Sequence, residues 1–189
     1  CTCRGARTMD QTETLFNGRY LRIRRRRHWE YAERTNASAA VIIVAITPED
    51  RLLLVEQFRI PVDARSIEMP AGLVGDLQDG ESVETAALRE LEEETGWRAG
   101  RIEYLMAGPS SSGMSNETVA FVRALDLVRV GPGGGDETED IRVHEVPRSE
   151  AAAWLAARMR EGYSIDPKLY AGLWFIDRNP DGTAATNAR

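Results

Sequence analysis

The sequence of 189 residues has little cysteine, no long apolar run and no excess of basic residues. Its only cysteines, Cys1 and Cys3, lie too close together to close a useful loop, so a disulfide framework is excluded and a reducing compartment is indicated. The longest apolar run, residues 39–46, is far shorter than the roughly 20 residues of a membrane-spanning helix. The formal net charge of −6 argues against binding to a nucleic-acid backbone, which usually requires a basic face. These absences predict a soluble, cytoplasmic protein with no membrane or nucleic-acid partner.

The N-terminal segment lacks the apolar core of a signal peptide after its charged start. The chain opens at Cys1 without a methionine, and Met9 is a candidate start, so we assign no function to residues 1–9. The hydrophobic content of 42% is enough for one good core, which fits one domain with a small subdomain.

The first half of the chain carries patterns typical of β-strands. Residues 21–29 alternate apolar residues with arginine, which predicts a strand with one solvated face in preference to a basic binding patch. Residues 39–46 and 52–55 are aliphatic runs joined by turn residues, and they predict a hairpin through the core. Proline and glycine punctuate residues 57–82, which predicts a long irregular connection of the kind that carries functional residues.

The second half alternates predicted helices and strands. A helix is predicted between an N-cap at Ser82 and a stop at Gly96. The later predicted elements are strands at 101–107, 118–127 and 141–146 and helices at 149–161 and 167–176, the last of them packed by Leu169, Leu173 and Trp174. Residues 131–140 are rich in glycine but lack the lysine and the strand-to-helix context of a phosphate-binding loop, so they predict a flexible loop. A tail from Asn179 onward is expected to be disordered.

Four glutamates, Glu90, Glu92, Glu93 and Glu94, fall within one and a half turns of the first predicted helix, where like charges repel. At about 100° per residue Glu90, Glu93 and Glu94 share one face, whereas Glu92 points away and is expected to be solvated. Arg89 lies one turn before Glu93 and can orient it, but one arginine cannot neutralise three carboxylates. A hard divalent cation such as Mg²⁺, which bridges carboxylates to phosphates, can neutralise them. The alternative is a plainly solvated acidic face.

The surroundings of this acidic turn resemble the Nudix box, G-x5-E-x7-R-E-U-x-E-E-x-G-U, where U is a bulky apolar residue. Gly75 is followed after five residues by Glu81, and after seven more by RELEEETGW at residues 89–97. In the Nudix family this helix binds divalent metal, and the enzymes hydrolyse a nucleoside diphosphate linked to another group. The resemblance implies an α/β fold, an α/β/α sandwich with a mixed sheet, and Mg²⁺ as the cofactor with Mn²⁺ as a substitute.

Further stretches are similar to the ADP-ribose pyrophosphatase branch of that family: VEQFRIPV (55–62), IEMPAG (67–72), SSGMSNE (111–117) and DETEDIRVHEV (136–146). In that branch an N-terminal β subdomain pairs or exchanges strands between two subunits, so the resemblance implies a homodimer whose sites are shared. The expected units are a disordered tail (1–14), the β subdomain (15–36), the Nudix hydrolase domain (37–178) and a second disordered tail (179–189).

The resemblance also implies roles for single residues. The implied metal ligands are the Ala71 carbonyl, Glu90, Glu94 and Glu139; the implied substrate-binding residues are Gln57, Arg59, Glu68 and Glu117; the implied catalytic residues are Arg89, which holds the cluster in place, Glu93 and Glu137. Arg59 suits a diphosphate because a guanidinium is a permanent bidentate partner of phosphate oxygens, and its alternative role is a salt bridge to Glu56 or Glu68. Arg59 or Glu68 is expected to serve the active site of the neighbouring chain.

The general base is assigned to Glu137, behind three glycines whose loose backbone would let a carboxylate swing in after substrate binds. Glu93 is the competing candidate, and the alternative for the loop is a solvated acidic turn. The leading function is Mg²⁺-dependent hydrolysis of ADP-ribose to AMP and ribose 5-phosphate.

Two features depart from the branch. Ser111-Ser112-Gly113 stands where the branch usually carries Ser-Pro-Gly, so another nucleoside diphosphate sugar, such as a GDP- or UDP-hexose, stays open as the substrate. The segment from Gly72 to Glu81 is longer than in some relatives, so Gly72 and Gly75 compete as the glycine that opens the box. A non-catalytic nucleotide-binding module would be expected to have lost box carboxylates, and none is missing. An RNA-cap hydrolase would be expected to have a basic face, and the formal net charge of −6 argues against one.

Overall fold

The computed structural model describes residues 11–135 and 140–185, and within those ranges the chain forms thirteen β-strands and three α-helices. The strands are β1 (Thr12–Asn17), β2 (Leu21–Arg26), β3 (Trp29–Arg34), β4 (Ala39–Ala45), β5 (Arg51–Arg59), β6 (Ala64–Glu68), β7 (Ala71–Val74), β8 (Trp97–Arg98), β9 (Arg101–Pro109), β10 (Thr118–Leu125), β11 (Val128–Arg129), β12 (Arg142–Pro147) and β13 (Ser164–Ile165). The helices are α1 (Val83–Thr95), α2 (Ala151–Arg160) and α3 (Lys168–Asp177). No helix in the described ranges is long and apolar enough to cross a membrane.

The first three strands form an antiparallel sheet of their own, in the order β1-β2-β3. The prediction of a single strand over residues 21–29 is wrong, because the chain reverses between β2 and β3, where Arg27 has a φ of 59°. A left-handed backbone conformation in a turn is usually adopted by glycine, asparagine or aspartate. Because arginine occupies this position, the sequence carries no local signal for the reversal. The sheet already begins at Thr12, earlier than the expected start of the β subdomain.

Two four-stranded mixed sheets build the body of the molecule, in the orders β7-β4-β10-β9 and β12-β5-β6-β13. The pairs β4–β10 and β6–β13 are parallel, and the other pairs are antiparallel. The predicted hairpin of residues 39–46 and 52–55 is wrong, because β4 and β5 belong to different sheets and meet at a single bridge between Ile46 and Leu52. The predicted irregular connection over residues 57–82 is wrong in part, since it contains β6 and β7.

The core lies on both faces of the central strands. Ile42 and Leu54 belong to a buried cluster that includes residues of α2 and α3, whereas Val41 and Leu53 belong to a second cluster that includes residues of α1. This division follows from the period of two in a strand, which sends successive side chains to opposite faces. Leu91 anchors α1 in the second cluster at 0% exposure, and truncation of such a leucine to alanine costs about 2–5 kcal/mol. The helix–sheet–helix layering confirms the predicted α/β/α class.

Helix α1 begins and ends as predicted. The Ser82 hydroxyl accepts the Thr85 N–H at 3.1 Å, which satisfies one of the unpaired donors of the first turn. Gly96 ends the helix with a φ of 73°, a backbone conformation that other residues rarely adopt.

The C-terminal helix and tail differ from their predictions. Trp174 does not pack α3 into the core, since it is 51% exposed, and Phe175 and Ile176 are buried instead. The tail continues from Asn179 as a turn, in which the Asn179 N–H donates to the Thr183 carbonyl at 2.8 Å. The described part of the tail ends at Ala185.

Candidate active site

A pocket of about 460 Å³, called the site pocket below, brings together side chains from distant parts of the chain. Its polar lining comprises Arg34, Gln57, Arg59, Glu68, Asp76, Glu90, Glu94, Glu117, Asp166 and Lys168. The expected substrate-binding residues therefore line one cavity with three of the four expected metal ligands, Ala71, Glu90 and Glu94.

The glutamates of the acidic face differ in burial. Glu94 is 3% exposed and the Glu90 side chain is 13% exposed, and both line the site pocket. Glu94 Oε2 accepts the Ala71 N–H at 3.0 Å, which ties the last turn of α1 to β7. Glu93 lies at the edge, with its side chain 50% exposed. Two of the three glutamates are thus positioned to present carboxylate oxygens to a ligand.

Glu92 points away from the pocket, as predicted, but it is paired and not simply solvated. Both its carboxylate oxygens accept from Arg98, at 2.8 and 2.9 Å. This ion pair is on the exposed side of α1 and leaves the site pocket untouched.

Arg89 is bonded to two of the three glutamates of the acidic face, Glu90 and Glu93. Its guanidinium donates to Glu81 at 3.3 Å, to Glu90 at 2.9 Å and to Glu93 at 3.2 Å. Further contacts join it to the Leu73 carbonyl and to the carboxylate of Asp76. Burial opposes its charge, but the hydrogen bonds and charges of Glu81 and Glu90 outweigh burial and raise its pKa. Arg89 is therefore a permanent cation that orients the carboxylates around it.

Gly72 and Gly75, the two candidates for the glycine that opens the box, are each required by the structure for a different reason. A Cβ on Gly72 would lie 1.9 Å from Glu90 Cδ, so only glycine lets β7 approach that carboxylate. Gly75 has a φ of 86°, and its N–H donates to Glu81 at 3.0 Å. Gly75 therefore opens the loop before α1, and Gly72 makes room for Glu90.

The positive charge of Arg89 only partly compensates the Glu90 carboxylate for its burial. Burial raises its pKa most, Arg89 opposes the rise, and the nearby charges of Glu93 and Asp76 add to it, so that the pKa reaches about 7. A carboxylate that is difficult to ionise in a pocket gains free energy when a cation binds beside it. This observation fits the donor chemistry of a divalent metal site.

Arg59 adopts the salt bridge that was the alternative to its substrate role. Its Nε and Nη2 atoms donate to the two oxygens of Glu68, at 2.8 and 2.6 Å. Burial disfavours the Glu68 carboxylate, but the hydrogen bonds and charge of Arg59 outweigh that effect and lower its pKa. Both residues line the pocket of their own chain together with Gln57, whereas a role in the site of a neighbouring chain stays a prediction.

Four charged residues of the site pocket were not predicted from the sequence: Arg34, Asp76, Asp166 and Lys168. Arg34 forms an ion pair with Glu117, and Lys168 Nζ lies 2.7 Å from Asp166 Oδ2. Arg34 is the last residue of β3 in the N-terminal sheet, and Lys168 is the first residue of α3. Both are far from the acidic helix in the sequence, and no local motif links either of them to it. Their proximity comes from tertiary packing alone.

The charge of the pocket lining is unbalanced. It contains six carboxylates and three cations, the carboxylates being Glu68, Asp76, Glu90, Glu94, Glu117 and Asp166 and the cations Arg34, Arg59 and Lys168. Carboxylates therefore outnumber cations in the lining, an excess that a divalent cation can offset.

The available oxygen ligands fit Mg²⁺, which usually takes one or two protein carboxylates, keeps several waters and binds substrate phosphates. Glu90 and Glu94 supply those carboxylates. Within residues 11–135 and 140–185, no three Asp, Glu, His or Cys side chains are grouped closely enough to hold a metal ion on their own. Glu137 and Glu139, the expected base and the expected further metal ligand, lie outside the described residues.

Known proteins are similar to this chain in sequence and in fold. The NUDIX domain model matches residues 36–164. The ADP-ribose pyrophosphatase of Bacillus subtilis is 38% identical over 120 residues, which cover 63% of this chain and 63% of that protein. The methanol dehydrogenase activator of Bacillus methanolicus is 32% identical over 152 residues, covering 77% of this chain and 80% of that protein. A crystal structure of an ADP compounds hydrolase aligns with a TM-score of 0.60 at 25% identity, over 76% of this chain and 80% of that one.

Proposed function

The chain belongs to the Nudix family and is a hydrolase of phosphorus-containing anhydrides, and from that premise we propose that it cleaves ADP-ribose to AMP and ribose 5-phosphate with Mg²⁺ as its cofactor. The observation that carries this proposal is the site pocket, whose lining brings Glu90 and Glu94 together with Arg59. The similarity to an ADP-ribose pyrophosphatase supports the choice of substrate.

The excess of carboxylates in the site pocket supports a metal-dependent reaction. Glu90 and Glu94 would hold Mg²⁺, with Mn²⁺ as a substitute, since both offer buried carboxylate oxygens. When bound, the metal neutralises the charge of the diphosphate and lowers the pKa of the attacking water. Arg89 holds Glu90 in place through a hydrogen bond of 2.9 Å, and the Ala71 N–H holds Glu94 through one of 3.0 Å.

Arg59 is proposed to contact the diphosphate. Glu68 occupies the Nε and Nη2 atoms of Arg59, so the guanidinium is already oriented before substrate binds. Among the contacts of the described residues none uses Nη1, which leaves this atom to donate to a phosphate oxygen. Gln57 and Glu117 line the same cavity and are proposed to contact the rest of the substrate.

The proton of the attacking water is proposed to go to Glu137, with Glu139 as a further contact to the metal. A general base must reach the water without being fully committed to another partner. Glu93, the competing candidate, already accepts a hydrogen bond from Arg89 at 3.2 Å.

A GDP- or UDP-hexose is the second candidate substrate, because Ser112 stands where the branch usually carries proline. The loop around Ser112 is fixed by bonds to β3, where the Ala32 N–H donates to the Met114 carbonyl at 2.8 Å and Trp29 Nε1 donates to the Gly113 carbonyl at 3.3 Å. Its shape is therefore set by the N-terminal sheet as well as by its own sequence. A non-catalytic nucleotide-binding module is less well supported, since every carboxylate of the box is present.

The substrate is tested by incubating the purified protein with ADP-ribose, a GDP-hexose and a UDP-hexose at equal concentration and with Mg²⁺. We expect ADP-ribose to have the highest kcat/KM and to yield AMP and ribose 5-phosphate in equal amounts. A higher kcat/KM for either hexose substrate would replace ADP-ribose in the proposal. Binding without turnover of any of the three would favour the non-catalytic module.

A further inference from the structure

Residues 133–135 lie against the last turn of α1, and two of them, Gly134 and Gly135, are bonded to it. The Gly134 N–H donates to the Glu94 carbonyl at 2.8 Å, and the Gly135 N–H donates to the Glu93 carbonyl at 3.0 Å. The last carbonyls of a helix have no partner within the helix, so these two bonds satisfy groups that would otherwise need water. The expectation of a loose glycine backbone is therefore wrong for Gly134 and Gly135.

The close approach requires glycine at position 133. Gly133 has a φ of 71°, and a Cβ built on it would lie 2.4 Å from the Thr95 carbonyl carbon and 2.7 Å from the Glu94 carbonyl oxygen. Both atoms belong to the backbone, so rotation of a side chain cannot relieve the overlap. Gly131 differs in this respect, because a Cβ there meets no atom within 4 Å.

The two carbonyls belong to residues whose side chains form the acidic face. The Glu94 carboxylate accepts the Ala71 N–H and lines the site pocket, and the Glu93 carboxylate accepts from Arg89. A shift of the backbone at the last turn of α1 moves these carboxylates, because each shares a Cα with the bonded carbonyl. Residues 133–135 are thus coupled to the site pocket without lining it.

We propose that Gly133 is a positioning residue for the metal site: its lack of a side chain lets Gly134 and Gly135 bond to the last turn of α1, and these bonds keep Glu94 in its place in the pocket. This inference rests on the proposed function, in which Glu90 and Glu94 hold the metal. It predicts that a side chain at position 133 weakens metal binding in protein that is still folded. A purely structural role would lower the melting temperature and leave the metal affinity of the folded protein unchanged.

The experiment compares Gly133→Ala with the matched control Gly131→Ala in the full chain. Mn²⁺ binding is measured by titration calorimetry without substrate, followed by kcat and KM for ADP-ribose and by thermal unfolding. Partners that only orient a metal ligand typically change affinity or activity by about ten- to a hundred-fold. We expect a loss of that size in Mn²⁺ affinity and in kcat for Gly133→Ala, with little change in KM because Arg59 and Gln57 come from β5. Gly131→Ala should behave like the wild type.

A second variant keeps the test valid if Gly133→Ala does not fold. Gly134 has a φ of 113° but its nearest contact for a Cβ is the Ile141 carbonyl oxygen at 3.8 Å, so Gly134→Ala strains the backbone without overlap. Gly134→Ala should also weaken Mn²⁺ binding, but by less than Gly133→Ala.

Three results would overturn the inference. The first is wild-type Mn²⁺ affinity in a folded variant at position 133 or 134. The second is an equal loss of affinity in Gly131→Ala, and the third is a wild type that does not bind Mn²⁺. If the wild type binds Mn²⁺ but hydrolyses none of the nucleoside diphosphate sugars, the proposed function fails while the metal titration still decides the role of Gly133.

Discussion

Glu94 and Glu92 show how two neighbouring carboxylates on one helix acquire different roles. Glu94 is 3% exposed in the wall of the site pocket, whereas Glu92 is bonded to Arg98 on the outer side of α1. A buried carboxylate needs compensation for its lost hydration, and an exposed one does not. The difference makes the two residues a matched pair for mutation.

Replacement of Glu94 by glutamine should preserve the fold and remove most of the activity. The amide oxygen can still accept the Ala71 N–H, but the charge that attracts the metal is lost. Since residues that merely orient a ligand are worth about ten- to a hundred-fold, the loss of kcat should be at least of that order. Circular dichroism and turnover assays at several Mg²⁺ concentrations check this prediction. The Glu92→Gln control should retain activity, and full activity in Glu94→Gln would exclude Glu94 from the metal site.

Single substitutions can also identify the general base. Removal of a general base typically lowers kcat by about a hundred- to ten-thousand-fold. We expect Glu137→Gln to show such a loss with little change in KM, and Glu139→Gln to raise mainly the Mg²⁺ requirement. Steady-state kinetics of these variants and of Glu93→Gln measure both effects. Near-normal kcat for Glu137→Gln together with an inactive Glu93→Gln would place the base in α1.

Individual elements differ in how far the sequence predicts them. Helix α1 is predictable because its determinants, the cap at Ser82 and the stop at Gly96, are local. The separation of β4 from β5 is not, since two aliphatic strands joined by a short turn carry no local signal that sends them to different sheets. Glycine permits many conformations, which favours a loose loop at residues 133–135, but tertiary contact with α1 selects one conformation.

Strands β5 and β6 join Arg59 to Glu68, and this pair should make stability depend on pH. The pKa of Glu68 is below its ordinary value of 4.5 in the folded protein, because Arg59 outweighs the effect of burial. The contribution is therefore fully present above about pH 4.5 and is lost as the pH falls through the lowered pKa. Urea unfolding at pH 7 and in acid should show that Glu68→Gln lowers the unfolding free energy by about 1 kcal/mol at pH 7, a value reduced by the solvent around Arg59, and by less in acid. Equal stability of the two proteins at pH 7, or a gap that widens in acid, would contradict this role of the pair.

At the scale of the whole molecule, the site combines residues that the sequence can and cannot assign. The spacing of the box and the stretches around it are enough to single out Glu90, Glu94 and Arg59. Arg34 and Lys168 reach the same pocket from the N-terminal sheet and from α3, and only the packing of the complete chain brings them there.

The N-terminal sheet should mediate homodimerisation. Its strands and turns expose apolar side chains, with Phe16 at 62% and Trp29 at 53%, and burial of such surface favours association. Size-exclusion chromatography with light scattering should report about twice the chain mass of 21.0 kDa. A monomer at micromolar concentration would reject the dimer. Aspartate in place of Phe16 should shift the dimer toward monomer, whereas aspartate in place of the exposed Leu77, which lies in the loop before α1, should not.

The proposed reaction is hydrolysis of the diphosphate of ADP-ribose in the site pocket with a divalent metal. The most direct measurement is anion-exchange chromatography of ADP-ribose incubated with the wild type and Mg²⁺, with the wild type and a chelator, and with Glu94→Gln and Mg²⁺. We expect equal amounts of AMP and ribose 5-phosphate in the first reaction and almost none in the other two. Intact ADP-ribose in the first reaction, or equal cleavage by Glu94→Gln, would contradict it.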